Sequence, residues 1–172
     1  MQQFNFNDNK YVFVTITTFE QRPILLENVS VLKTAIVKSK QNYNYDFFAC
    51  VILPAQILMI IKPEPGEDYP KIVANIKQYF TVNLPSKYRI LDSSQSKQES
   101  LVWQKRFEET TIRNKTELRK YLNYMHYAPV KQGLAEMPKD WQYSSFKKFV
   151  MLGFYDENWT CTKAESDKLV LH

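Results

Sequence analysis

The sequence predicts an α+β fold of the ferredoxin-like type, a mainly antiparallel four-stranded sheet with helices on one face. Strand and helix patterns follow the order strand, helix, strand, strand, helix, strand, helix. Two unbroken apolar runs flank Pro54, which is typical of central strands covered on both faces. Two helices with apolar stripes can pack on such a sheet, and a further helix and tail follow at the C-terminus. This plan leaves the function open.

The chain begins with a strand and a helix. Residues 11–19 are β-branched and aromatic with little charge, which predicts the first strand. Apolar residues recur at helical spacing over residues 29–42, whereas the lysines lie off that stripe. We therefore expect a helix there with one face buried.

The next elements are two strands and a second helix. The apolar runs 47–53 and 57–61 predict strands that meet around Pro54. The Pro-Glu-Pro-Gly segment at 63–66 is a turn. A second amphipathic helix follows over residues 68–84, and Asp68 is placed to cap it.

The second half of the chain completes the sheet. Residues 92–100 are polar and of low complexity, and they predict a mobile loop, because too little chain follows for a second core. Residues 107–112 predict the fourth strand. We expect one domain over residues 1–150 and a C-terminal tail over residues 151–172.

The following helix has signals at both ends. Asn114 with Glu117 is a plausible capping pair at its start. Pro129 and Gly133 are placed to end it. Its buried stripe consists of Leu118, Tyr121, Leu122 and Met125.

Composition restricts the partner and the compartment. The 172 residues carry a net charge of +5, which favours a polyanion, and 15% aromatic residues, whose rings can stack on unpaired bases. No apolar run reaches the ~18 residues that a membrane span needs. The two cysteines lack CxxC spacing, and no secretion signal is visible at the N-terminus. We therefore expect a cytoplasmic protein.

Three short motifs occur in a specific order. They are Trp-Gln-x-Arg-Phe at 103–107, Tyr-Met-His-Tyr-Ala-Pro-Val-Lys-Gln-Gly-Leu at 124–134, and Trp-x-Tyr-Ser-Ser at 141–145. With this order and spacing, the chain resembles the REP-associated branch of the HUH single-strand DNA transposases over roughly residues 10 to 150. The resemblance implies the ferredoxin-like fold, a DNA substrate and a tyrosine nucleophile at Tyr124.

The resemblance also locates the positions of the family's metal ligands. In the family, a Mg or Mn ion held by two histidines and an asparagine polarises the scissile phosphate. Alignment of Leu53–Leu58 with the pattern Met-Pro-Asn-His-x-His puts Gln56 and Leu58 at the histidine positions, and Ala128 at the asparagine position. These residues cannot jointly bind a divalent ion. We therefore expect no metal cofactor.

Two alternatives bear on the chemistry. A metal site could be rebuilt from the remaining histidines, but His126 lies two positions from Tyr124 and points to another side of the helix. Tyr124 could also be a packing residue, since Tyr121 and Tyr127 flank it. Without a metal, a phenol of ordinary pKa near ~10 is a poor nucleophile at neutral pH.

The leading hypothesis is a transposase-like protein that binds single-stranded or hairpin DNA and has lost metal-dependent cleavage. Each candidate for DNA contact could instead be a packing residue or an ordinary surface charge. An active transposase with a rebuilt site and an interaction protein that kept only the fold are the alternatives. Monomer and homodimer both remain open. The candidates for DNA contact are Lys77, Trp103, Gln104, Arg106, Lys131, Lys147 and Lys148.

Overall fold

The structure, a computed structural model, describes residues 10–91 and 100–168. Its strands and α-helices follow the order that the sequence predicts, with two further short strands, β4 and β5, and one further short α-helix, α5. In chain order they are β1 (Tyr11–Thr17), α1 (Val29–Asn42), β2 (Tyr45–Ile52), β3 (Gln56–Pro63), α2 (Tyr69–Asn83), β4 (Ile90–Leu91), β5 (Ser100–Leu101), β6 (Glu108–Ile112), α3 (Lys115–Lys131), α4 (Phe146–Met151) and α5 (Lys163–Lys168).

The main sheet has the strand order β2-β3-β1-β6, and every neighbouring pair is antiparallel. This order is that of the ferredoxin-like plan, so the predicted fold class is confirmed. The short strands β4 and β5 pair with each other in a separate two-stranded sheet. Residues 92–99 of the predicted mobile loop lie outside the described residues, and Ser100 belongs to β5.

One face of the sheet packs against α1 and α2, which are the two predicted helices of that layer. Alternate residues of β1 and β3 point to this side because side chains in a strand have a period of two. They meet the apolar stripes of both helices in one buried cluster. Its members include Val12, Val14, Ile16, Ile57, Met59, Ile61, Leu32, Ala35, Ile72, Ile76 and Phe80.

The opposite face is covered by α3 and α4. The intervening residues of the same strands enter a second buried cluster, as the unbroken apolar runs predict. Tyr155, beyond α4, also packs in this cluster, and its ring lies 4.9 Å from that of Phe146. The cluster includes Phe13, Leu58, Ile60, Leu118, Leu122, Met125, Phe146 and Phe149.

The helix ends match the predicted caps only in part. Asn114 accepts a hydrogen bond from the Glu117 N–H at 2.9 Å, so this cap is confirmed. Asp68 occupies the N-cap position of α2, but its side chain accepts no capping bond and lies 3.6 Å from Lys71 Nζ instead. The prediction that Pro129 ends α3 is wrong.

The helix α3 continues through Pro129 and ends at Lys131, and Gly133, two residues further on, has a φ of +72°. Such a left-handed residue closes a helix, and glycine adopts it without steric cost. The Leu134 N–H then bonds the Pro129 carbonyl at 2.8 Å. In the part of the chain that the structure describes, no helix is long and apolar enough to cross a membrane.

A buried polar network ties α3 to the residues beyond it. His126 is fully buried, with Nδ1 3.1 Å from the Tyr155 hydroxyl and Nε2 2.8 Å from Ser145 Oγ. The Tyr155 hydroxyl donates its hydrogen to Asn123 Oδ1, so the Tyr155 oxygen accepts a hydrogen bond from His126 Nδ1–H. The other ring nitrogen, Nε2, then carries no hydrogen and accepts a hydrogen bond from the Ser145 hydroxyl. Burial lowers the pKa of His126 to about 3, so the imidazole is neutral in the folded protein.

This network predicts a pH-dependent stability. As pH falls from the ordinary value of 6.5 towards about 3, the unfolded chain binds a proton at His126 and the folded chain does not. The free energy of unfolding should therefore fall by up to ~1.4 kcal/mol per pH unit in that window. Urea unfolding at pH 7 and pH 5 should show a smaller decline for His126→Gln than for the wild type.

His172, the only other histidine, provides the matched control. The variant His172→Gln should retain the pH dependence of the wild type. An equal decline in stability in the wild type and His126→Gln would contradict the assignment of this pH dependence to His126.

Candidate functional site

The turn between β2 and β3 carries the first residues of the candidate site. The Ala55 carbonyl accepts a hydrogen bond from Thr18 N at 2.9 Å, which ties the turn to the end of β1. Gln56 begins β3, and its Nε2 lies 3.4 Å from Thr17 Oγ1. Two residues further on, Leu58 points to the same face by alternation and is buried beneath α3.

The helix α3 brings the other two positions to this face. Ala128 is only 7% exposed and belongs to the buried cluster that contains Leu58. Tyr124 lies one helical turn before it and is half-buried, with its ring edge-on to Phe13 at 6.0 Å. The structure thus places all four predicted positions, the fourth being Gln56, on one face of the sheet.

The donor atoms at these positions do not fit a metal ion. Leu58 and Ala128 carry none, and Gln56 offers a single amide oxygen. Mg²⁺ takes six oxygen ligands in near-octahedral geometry, usually including carboxylates. Within residues 10–91 and 100–168, no group of three or more His, Cys, Asp or Glu side chains could hold a metal ion. Among the described residues, these three positions therefore do not supply the ligands that a divalent ion needs.

The surroundings of Tyr124 disfavour ionisation of its hydroxyl. Burial raises the pKa of its hydroxyl, and the negative charge of Glu108 raises the pKa further. Glu108 pairs with Thr15 on β1 and so points to the same face as α3. A phenol of raised pKa keeps its proton at neutral pH, and the protonated form is the weaker nucleophile. Glu108 is not among the residues predicted from the sequence, although alternation along β6 from the apolar Ile112 puts it on this face.

Trp103 is a core residue. It is 8% exposed, and its ring lies 5.1 Å from that of Phe80. Its Nε1 donates to the Lys77 carbonyl at 3.2 Å and lies 3.1 Å from Thr81 Oγ1. Packing accounts for these contacts, and the buried ring presents no open face on which a base could stack.

Lys77 and Gln104 lie beside Trp103 at the same end of the sheet as Gln56. Lys77 Nζ donates to the Gln104 carbonyl at 3.1 Å, and burial lowers the pKa of this lysine. Gln104 N donates to the Thr17 carbonyl at 2.9 Å. The side chains of Gln104 and Arg106 are exposed. The structure therefore brings this group of candidates together, next to the strand ends that carry Gln56.

The remaining candidates lie elsewhere. Lys131 is exposed in the last turn of α3, and Lys147 is exposed on α4. Lys148 Nζ donates to the Phe48 carbonyl at 3.0 Å and lies 5.5 Å from the centre of the Phe149 ring. Lys148 thus fastens α4 to β2, the strand at the opposite edge of the sheet from β6.

Known proteins are similar to this chain in sequence and in fold. A Haemophilus influenzae protein named REP-associated tyrosine transposase is 33% identical over 151 residues, which is 87% of this chain and 86% of the relative. This chain belongs to the REP-associated tyrosine transposases. A REP-associated tyrosine transposase of Escherichia coli K12 is 30% identical over 149 residues, 86% of this chain and 82% of the relative. No protein-family model matches the chain.

A solved structure extends this relationship to three dimensions. The REP-associated tyrosine transposase bound to a REP hairpin superposes with a TM-score of 0.77 and 26% identity. The match covers 94% of this chain and 92% of the solved one. The architecture of this REP-associated tyrosine transposase, an antiparallel sheet with helices on both faces, is therefore shared over nearly the whole length.

The donor atoms of this member of the family predict its response to metals. Calorimetric titration of the wild type with Mn²⁺ or Mg²⁺ should show no specific site, because only Gln56 offers a ligand atom among the three aligned positions. The variant Gln56→Ala should give the same isotherm. A one-to-one, micromolar isotherm that disappears in Gln56→Ala would contradict this interpretation.

Proposed function

We propose that this chain binds hairpin DNA with single-stranded flanks and does not cleave it by metal-assisted attack of Tyr124. The observation that carries the binding half is the likeness, over 94% of the chain, to a transposase bound to a REP hairpin. The same fold over nearly the whole chain supports the same class of ligand. The hairpin sequence that this chain recognises is a separate matter, because fold and motifs alone do not specify it.

Charge supports a polyanionic partner. The net charge is +5, and the exposed cations Arg106, Lys131 and Lys147 are available for phosphate contact. Lys77 and Lys148 are weaker candidates, because their ammonium groups already donate to the carbonyls of Gln104 and Phe48. Phosphate contacts of this kind supply affinity and orient the ligand without reading its sequence.

The cleavage half rests on the side chains around Tyr124. Leu58 and Ala128 form apolar packing where the family's ligands would stand, and the tyrosine pKa is raised. With neither an ion to polarise the phosphate nor an ionised phenol, attack on phosphorus lacks both forms of activation. Under this proposal, the protein binds its DNA and does not cut it.

Binding is tested by titrating three DNAs: a hairpin with a single-stranded flank, the same stem without the flank, and plain duplex. We expect the flanked hairpin to bind most tightly and its affinity to fall steeply with salt. Arg106→Gln and Lys147→Gln should each remove one phosphate contact and so reduce the slope of log affinity against log salt concentration by about one.

Lys40→Gln is the matched control, since Lys40 is exposed at the far end of α1, near the start of β2. This variant should keep the slope of the wild type. Equal and negligible affinity for all three DNAs at low salt would reject the proposal and favour an interaction protein that kept only the fold.

The cleavage half is tested by restoring ligands. The triple variant Gln56→His, Leu58→His and Ala128→Asn places two imidazoles on one strand face and an amide one helical turn from Tyr124. Buried polar groups without a metal should cost ~1–3 kcal/mol of stability. With Mn²⁺, we expect covalent attachment to a single-stranded oligonucleotide, detected as a shifted band on a denaturing gel.

Adding Tyr124→Phe to the triple variant should abolish the attached product. A folded triple variant that binds Mn²⁺ and never attaches DNA would mean that more than the ligands separates this chain from cleaving relatives. Metal-dependent attachment by the wild type itself would reject the proposed loss of cleavage.

A further inference from the structure

A groove beside the outer edge of β2 is lined by none of the residues at the site around Tyr124. It lies between α1, the outer edge of β2 and the segment 142–145, and has a volume of about 470 Å³. This is within the ~300–1,000 Å³ of pockets that hold small ligands. The lining includes Lys33, Ile36, Phe47, Ile52, Gln142 and Tyr143.

The chemistry of the lining fits a ligand that combines a flat ring with a negatively charged group. The rings of Phe47 and Tyr143 and the aliphatic Ile36 and Ile52 provide apolar surface. Lys33 provides a positive charge, and no acidic side chain occurs among the described lining residues. An unpaired nucleotide combines these properties, because its base stacks on apolar surface and its phosphate pairs with a cation.

Two polar side chains of the lining are available to a ligand. Within residues 10–91 and 100–168, the Lys33 ammonium and the Gln142 amide make no hydrogen bond or ion pair, and both side chains are exposed. By contrast, Ser145 Oγ is held by Cys50 N at 3.0 Å and by the buried His126. The Ser145 side chain is thus held in place by the protein, whereas the Lys33 ammonium and the Gln142 amide are available to contact a ligand. An amide can both donate to and accept from the edge of a base.

The groove also ends close to the candidate site. The Tyr143 carbonyl accepts from Ile52 N at 2.8 Å, and Ile52 pairs with Ile57, the neighbour of Gln56. One end of the groove therefore lies at the same end of the sheet as Gln56, Lys77 and Gln104. A single strand that leaves a hairpin there could continue along the edge of β2.

We propose that this groove binds one unpaired base of the single strand that flanks the hairpin, with its phosphate at Lys33. This inference rests on the proposed DNA binding and adds a second contact to it. Stacking of the base on Phe47 and Tyr143 would favour unpaired over paired flanks and would tolerate all four bases.

The test is an abasic scan of the flank. Hairpins with a short thymine flank are made with one abasic nucleotide at each flank position in turn, and their affinities are measured by fluorescence anisotropy. One position should weaken binding to the wild type by about tenfold, as expected when a stacked base is removed. Removal of bases at the other positions should have little effect.

Two charge reversals on α1 then locate the contact. Lys33→Glu should weaken binding of the intact flanked hairpin and abolish most of the sensitivity to the abasic position. Lys38→Glu is the matched control, because Lys38 is exposed on the same helix and does not line the groove. This variant should keep the abasic sensitivity. A 5-bromodeoxyuridine at the sensitive position should crosslink to Phe47 or Tyr143 under ultraviolet light.

The outcomes separate this inference from the one on which it rests. If the wild type binds the flanked hairpin but no flank position is sensitive, the groove assignment is overturned and the DNA-binding proposal stands. Equal losses of sensitivity in Lys33→Glu and Lys38→Glu would indicate a general charge effect and also overturn the groove. If no DNA binds at all, both proposals fail together.

Discussion

Burial of β1 and β3 on both faces is the constraint on which the rest of the structure depends. Each strand sends alternate side chains into two separate cores, so one helical layer could not cover it. The helices α1 and α2 protect one side, and α3 must lie across the other. That requirement holds Tyr124 and Ala128 above Leu58 and sets the geometry of the candidate site before any chemistry is considered.

The local elements could be predicted because their signals are local. The apolar stripe of α1 gives its bounds correctly, and the Asn114–Glu117 cap is present as expected. Pro129 misled the prediction for a physical reason. A proline lacks one N–H, but three-dimensional packing of the apolar residues around it is sufficient to continue the helix for two more residues. Packing across the sheet is not visible in the sequence of one helix.

The parts of the site that depend on pairing between distant segments could not be predicted. The motifs indicate which residues correspond to the family's ligands, but they do not show that Trp103 lies in the core against Phe80. The effect of Glu108 on Tyr124 requires the register of β6 on β1. The groove beside β2 needs the segment that follows Trp141, which joins the sheet edge through the isolated pairing of Val51 with Ser144. None of these contacts is implied by composition or by periodicity.

The burial of Leu58 and Ala128 in one apolar cluster has an evolutionary consequence. Buried apolar side chains contribute to the stability of the fold, and selection for stability acts to keep them. A lone change of Leu58 to histidine would bury an imidazole with neither metal nor partner, and Ala128 would gain nothing from an asparagine by itself. Each of these single changes therefore costs stability. Selection for stability thus favours small or apolar side chains at both positions, and polar replacements there should be rare among descendants of this chain.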